Sequence, residues 1–132
     1  MAHKRFITSS ISIDEKLAAV AGEDAVSALM WPWLLFEFDD WGRAEWSPLK
    51  TKLSRFPAFQ AITPGDLERS VELYSKRQLV HKYEINGRIY LAVNPSNWIK
   101  HQTYLIGTKR AGADSSCPSP SDAPWAMEEE IQ

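Results

Sequence analysis

Three features of the sequence predict a mainly helical α+β fold. Two hydroxyl-proline pairs, Ser47-Pro48 and Thr63-Pro64, each read as a helix start. In both, an oxygen caps free N–H groups, and the proline sits at the first helical position, where its missing N–H costs nothing. Asn86-Gly87 separates two β-rich runs, 79–85 and 88–93, and marks a hairpin, because a type I′ turn needs two residues that tolerate positive φ. The first third of the chain carries helix-length apolar patterning with little turn chemistry.

Taken in order, Ser12-Ile13-Asp14-Glu15 fits a capping box, with Ser12 as the cap and Glu15 reaching back to it. The helix it opens is expected to run to about Ala21 and to end at Gly22. Residues 23–38 read as the main core helix, apolar on nearly all sides. Pro32 should bend or split that helix, since it cannot donate to the Ala28 carbonyl. Asp39-Asp40 ends the pattern, and 42–46 suits a short strand. Leu49, Leu53 and Phe56 supply the inner stripe of the helix that Ser47 opens, which should finish near Pro57. Leu67, Val71 and Tyr74, spaced i, i+4, i+7, supply the inner stripe of the next, predicted over 63–77. These six side chains are expected to converge on the 23–38 helix. Pairing across Asn86-Gly87 sets Ile85 against Arg88, Tyr83 against Tyr90 and Val80 against Val93, with Val80, Leu91 and Val93 turned to the core. The order helix, strand, helix, helix, strand, strand is that of a winged helix-turn-helix, with one extra N-terminal helix in front and the β-hairpin as the wing.

At 132 residues the chain suits one domain. Residues 1–106 hold 13 Lys/Arg against 12 Asp/Glu, and residues 107–132 hold 2 against 5. The domain, 1–106, is therefore near neutral. The acidic, Ser- and Pro-containing tail, 107–132, is too poor in apolar residues to fold alone and is expected to be disordered, with Trp98, Ile99, Tyr104 and Leu105 ahead of it packing back on the domain. Cys117, the single cysteine, excludes a disulfide within the chain and a cysteine-rich zinc site. His3, His81 and His101 have no second ligand at i+3 or i+4, so no metal is expected. No phosphate loop or nucleophile motif appears, and neither an enzyme nor a cofactor is expected. The most apolar segment, 25–38, is too short to span a membrane. Met1 to Arg5 carries charge with no apolar run behind it, so a cytoplasmic protein is the expectation.

From about Arg5 to Gln102 the chain resembles the N-terminal winged-helix domain of phage and prophage replication-initiation proteins, relatives of DnaD-like and replisome-organiser proteins. The resemblance rests on an ordered set of segments: RFITSSISIDEKLAAV, AVSALMWPWLLFEFDDWGR, SPLKTKLSRFP, DLERSVELYSKRQLVHKYEINGRIYLAV and NWIKHQ. It departs from that family at Pro32, at Gln78, where a glycine often closes the last helix, and in having no second, helicase-interacting domain after the winged helix. The resemblance implies DNA binding in replication initiation.

DNA binding needs cations for phosphates. Once each apolar face is turned inward, the cations left outside are Lys50, Lys52 and Arg55 on one helix, Arg69 and Lys76 on the next, and Lys82 and Arg88 on the hairpin. Lys50 projects opposite to Lys52 and Arg55, and Asp66 and Glu72 share the surface of Arg69 and Lys76, so a solvated charged face is the competing reading. Lys4 and Arg5 suit a flexible basic arm, or simply a mobile end. With so few cations, a homodimer would double the contacts. The other class of function is a protein-interaction adaptor, meeting a replication or host protein through its aromatic surface or through the tail around Trp125, Met127 and Ile131.

Overall fold

The first helix starts at Asp14, whose carboxylate accepts the Leu17 N–H at 2.9 Å. The computed structural model describes Ile11 and residues 14–95, 117–120 and 122–123. The expected cap, Ser12, lies outside the described residues, as do Lys4, Arg5, Trp98, Ile99, His101, Tyr104 and Leu105. Helix α1 is Glu15–Glu23, so Gly22 lies inside it rather than ending it. The chain turns one residue later because Asp24 serves both helices. Its N–H closes α1 on the Val20 carbonyl, and its extended backbone frees the carboxylate to take the Val26 N–H at 3.1 Å and the Ser27 hydroxyl at 2.9 Å.

Helix α2 is Ala25–Leu34, followed by a 3-10 turn over Leu35–Glu37. A single α-helix over 23–38 therefore does not form. Pro32 sits inside α2, and the α-helix gives way two residues after it. The Leu35 N–H then bonds back to the Pro32 carbonyl, three residues away instead of four. Asp39 ends this region by taking the Trp41 and Arg43 N–H groups on one carboxylate oxygen, at 2.9 and 3.1 Å. Strand β1, Arg43–Glu45, follows.

Helix α3, Pro48–Arg55, opens on Ser47, whose hydroxyl accepts the Lys50 N–H. Helix α4, Pro64–Lys76, opens on a reciprocal box: Thr63 Oγ1 accepts the Asp66 N–H at 3.2 Å, and the Asp66 carboxylate accepts the Thr63 N–H at 2.9 Å. The helix closes on a Schellman motif, with Gln78 N–H to Ser75 O and Leu79 N–H to Tyr74 O. The motif needs a left-handed residue, and Gln78 supplies it at φ 60°. Strands β2, Val80–Ile85, and β3, Arg88–Val93, pair across Asn86 and Gly87, both at positive φ as a type I′ turn requires. The register sets Ile85 against Arg88, Tyr83 against Tyr90 and Val80 against Val93. β1 adds to the other edge of β3, giving a three-stranded antiparallel sheet ordered β1-β3-β2.

The main core joins Trp31, Leu34, Leu35 and Phe38 to Leu67, Val71 and Tyr74 and to Val80, Leu91 and Val93 on the inner face of the sheet. At its centre is a buried polar cluster between α2 and α4. The Ser27 and Ser70 hydroxyls lie 2.8 Å apart, and the Tyr74 hydroxyl donates to the Ser27 carbonyl. The Trp31 ring stands edge-on to Tyr74 at 5.0 Å between centroids. Burial pushes the Tyr74 phenol far above its usual range, with Asp24 adding to the effect, so it remains a donor.

Four of the six expected core residues are buried, but Leu49 and Leu53 are 59% and 64% exposed. Helix α3 is turned so that Thr51 faces the core and Phe56, just past its end, fills it. Residues 49 and 53 each lie two positions from 51, on the opposite side of a helix.

Tyr74→Phe should lower unfolding stability by about 1–2 kcal/mol, because it leaves a buried acceptor without its donor; chemical denaturation measures this. Gln78→Gly should raise stability by up to about 1 kcal/mol, since glycine takes the left-handed position without steric cost. The bonds from the Asn94 side-chain Nδ2 to Gln78 O and from the Asn94 backbone N–H to Leu79 O would be retained.

Candidate nucleic-acid interface

The seven cations divide by what each side chain already does. Lys52 lies along the C-terminal end of α3 and donates from Nζ to the carbonyls of Phe56, at 2.5 Å, and Phe59, at 2.6 Å. It caps the helix and the loop after it. Arg55 is only 17% exposed; its Nε meets Glu37 Oε1 at 2.5 Å, and its Nη2 donates to the Phe36 carbonyl at 3.2 Å. Ser54 donates to the same Glu37 oxygen at 2.8 Å. Both cations are therefore engaged within the fold, and a phosphate would have to displace those contacts to use them. Sequence could not show this, because the acid that holds Arg55 lies on a different element.

Arg69 and Lys76 project from the outer face of α4, as the helical wheel requires, and both are mostly exposed. Each has an acid beside it. Arg69 bonds Asp66 at 2.9 Å, and Lys76 reaches Glu23 at 3.3 Å, an acid that Arg77 also binds. The Asp66 carboxyl is held below its usual range, chiefly by the Thr63 N–H, then by the Thr63 hydroxyl and Arg69. That of Glu23 is lowered mainly by its bond to Arg77, against an opposing desolvation effect, with Lys76 contributing. Both acids stay ionised near neutral pH and offset the cations beside them. Lys82, expected toward solvent, turns from β2 to Glu72 on α4 at 3.1 Å and is 30% exposed.

Lys50 and Arg88 remain. Lys50 is exposed in the first turn of α3, in a groove it shares with Glu37, Glu45, Ser47 and Leu53. Arg88 is exposed next to the hairpin turn. Neither has an ion pair among the described residues. The structure thus brings Arg69, Lys76 and Lys82 to the surface of α4 as half of acid–base pairs, leaves Lys50 and Arg88 open, and takes Lys52 and Arg55 inward.

Apolar exposure is the feature that sequence patterning missed. Val26, Leu29 and Trp33, spaced i, i+3, i+7, form an outward stripe on α2, and Leu29 is 72% exposed. Phe59 meets the Trp33 ring edge-on at 6.2 Å. Leu49 and Leu53 of α3 are exposed as well. The spacing was legible, but an all-apolar α2 gave no indication of which stripe would be left out.

No described helix is long and apolar enough to cross a membrane, and no group of three or more His, Cys, Asp and Glu among the described residues could hold a metal ion. Arg55→Ala should cost about 2 kcal/mol of stability, because Glu37 loses its partner while largely buried. Lys50→Ala should stay within about 0.5 kcal/mol; thermal unfolding of the two variants checks the division between internal and open cations. Comparison of the chain with protein-family models, with characterised proteins and with solved structures finds no match.

Proposed function

We propose that this is a DNA-binding winged-helix protein acting in phage or prophage replication initiation. The observation that carries the reading is the topology. After the leading helix α1, the order is helix, strand, helix, helix, strand, strand, and the strands form a β1-β3-β2 sheet whose β2-β3 hairpin projects an exposed arginine next to its turn. In such a fold α4 would lie toward DNA, with Lys50 on α3 and Arg88 on the wing flanking it. The acids paired to Arg69, Lys76 and Lys82 argue for backbone contact of modest strength rather than deep base reading, since each cation must exchange its carboxylate for a phosphate.

A second reading, a protein-interaction adaptor for a replication or host protein, is favoured by one observation: the outward Val26, Leu29 and Trp33 stripe with Phe59. Exposed apolar patches of this kind mark protein contact more often than nucleic-acid contact.

A salt-titrated binding assay with double- and single-stranded DNA separates the two. Each neutralised phosphate contributes roughly −0.9 to the log–log slope, so two to four contacts give about −2 to −4. Replacing Lys50 and Arg88 together by Ala should weaken binding and flatten the slope by about two, with folding unchanged. Absence of DNA binding by the intact chain at low salt would leave the adaptor reading in place.

A further inference from the structure

The sheet has a second face, turned away from the helices. Residues opposite one another in the register share a face, which places His81, Tyr83 and Ile85 of β2 beside Ala92, Tyr90 and Arg88 of β3. The rings form a ladder. Tyr83 and Tyr90 stack at 5.5 Å between centroids, and His81 lies parallel to Tyr83 at 5.9 Å with 5° between planes.

A piece of the tail lies on this ladder. Pro120 is buried and so is Ala123, which packs with Tyr83 and Ala92, flanked by Ile85 and Tyr90. The Tyr83 hydroxyl donates to the Pro118 carbonyl at 2.7 Å, and His81 Nε2 meets Asp122 Oδ1 at 3.1 Å. The Ala123 N–H folds back on the Pro120 carbonyl at 3.0 Å. The tail is too polar to build its own core, but two small apolar groups suffice when a flat aromatic surface is supplied. Burial, opposed in part by Arg43, raises the Tyr83 phenol well above its usual range, so it is a donor at any ordinary pH.

These contacts are those by which proteins read proline-rich peptides. Flat rings receive proline and other small apolar groups at low entropic cost, and a ring hydroxyl takes a carbonyl that a proline-rich chain cannot satisfy internally. A charged residue nearby fixes direction. We propose that the outer face of the sheet is a recognition groove for proline-rich peptides that carry an acid two residues after the second proline and turn back there, as Ala123 does on Pro120. The segment 118–123 is its ligand in cis and is exchangeable for a like segment of another protein. The inference does not rest on DNA binding. It gives His81 the role of reading the acid, Tyr83 that of reading the carbonyl, and Tyr90 and Ala92 that of the floor. Twenty-one residues, 96–116, separate Pro95 from Cys117. The segment is part of the same chain, so a competitor must be abundant or bind better.

The test uses the full-length chain. Pro120→Ser with Ala123→Asp makes the two buried apolar residues of the segment polar and should open the groove. A dye-labelled peptide of residues 116–124 should then bind saturably, about tenfold tighter than to the wild-type chain, whose groove is filled. Adding Tyr83→Phe should weaken that binding roughly fivefold. No binding to the folded variant, or equal binding to both chains, overturns the proposal. A second measurement needs no variant: Cys117, partly exposed beside the segment, reports its release through the rate of maleimide labelling. A cysteine-free peptide of residues 118–124, at up to several millimolar, should accelerate labelling saturably, and a proline-free peptide should not. No acceleration overturns the proposal. Acceleration by oligothymidylate and not by the peptide also overturns it, and makes the ring ladder a nucleic-acid platform.

Discussion

The contact between α2 and α4 at Ser27, Ser70 and Tyr74 constrains everything else. Two serines facing each other permit a close approach that larger side chains would prevent, and with the Ser27 hydroxyl donating to Asp24, the Ser70 hydroxyl donates to Ser27 at 2.8 Å. Ser27 also bonds the Asp24 carboxylate, which caps the N-terminus of α2, and its carbonyl receives the Tyr74 hydroxyl. A buried polar cluster of this kind specifies a single alignment, because a shift along either helix would leave several polar groups unsatisfied in a medium where each such loss is costly. With α4 fixed in rotation, Leu67, Val71 and Tyr74 face inward. Arg69 and Lys76 then lie outside with the acids that neutralise them, and Glu72 with Lys82.

The hairpin and α4 were legible in the sequence, and the orientation of α3 was not. The hairpin is coded locally: Asn86-Gly87 meets a backbone requirement that few other pairs meet, and the register follows from it. Helix α4 spans more than three turns, long enough for its three-residue stripe to be read in one way only. Helix α3 has eight residues, and in two turns Leu49 and Leu53 define an apolar stripe as convincingly as Thr51 marks the true inner side. What decides is tertiary. Lys52 ties the end of α3 to the Phe56 and Phe59 carbonyls, and Arg55 ties it to Glu37 and Phe36. Those partners leave the two leucines no inward option.

The candidate site shows the same division. Periodicity placed Arg69 and Lys76 outside the α4 stripe correctly, but it also put Lys52 and Arg55 outside a stripe on α3 that faces solvent. Whether each cation was available could not be read from it, because the deciding acids lie elsewhere in the chain. Lys76 finds Glu23, Lys82 finds Glu72 and Arg55 finds Glu37, each pair joining different elements. A near-neutral total charge is compatible with a basic face, but here the neutrality is local, and surface pairs of this type are weak enough to exchange for another anion. The tail gave no local signal at all, since Ala123 is buried only because Tyr83, Tyr90 and Ala92 align through strand register.

Pro32 links these levels. Lacking an N–H, it weakens the last turn of α2, and the shorter bond from Leu35 to the Pro32 carbonyl converts the helix into a 3-10 turn that ends at Glu37. A 3-10 turn advances about 2.0 Å per residue and rotates about 120°, so it presents Glu37 at a different height and angle from a continued α-helix. At that position Glu37 receives Ser54 and Arg55 and fixes the rotation of α3. That rotation exposes Leu49 and Leu53, draws Arg55 inward and leaves Lys50 open on the surface. One missing backbone donor in the second helix therefore helps choose which cation on the third is free to meet a ligand.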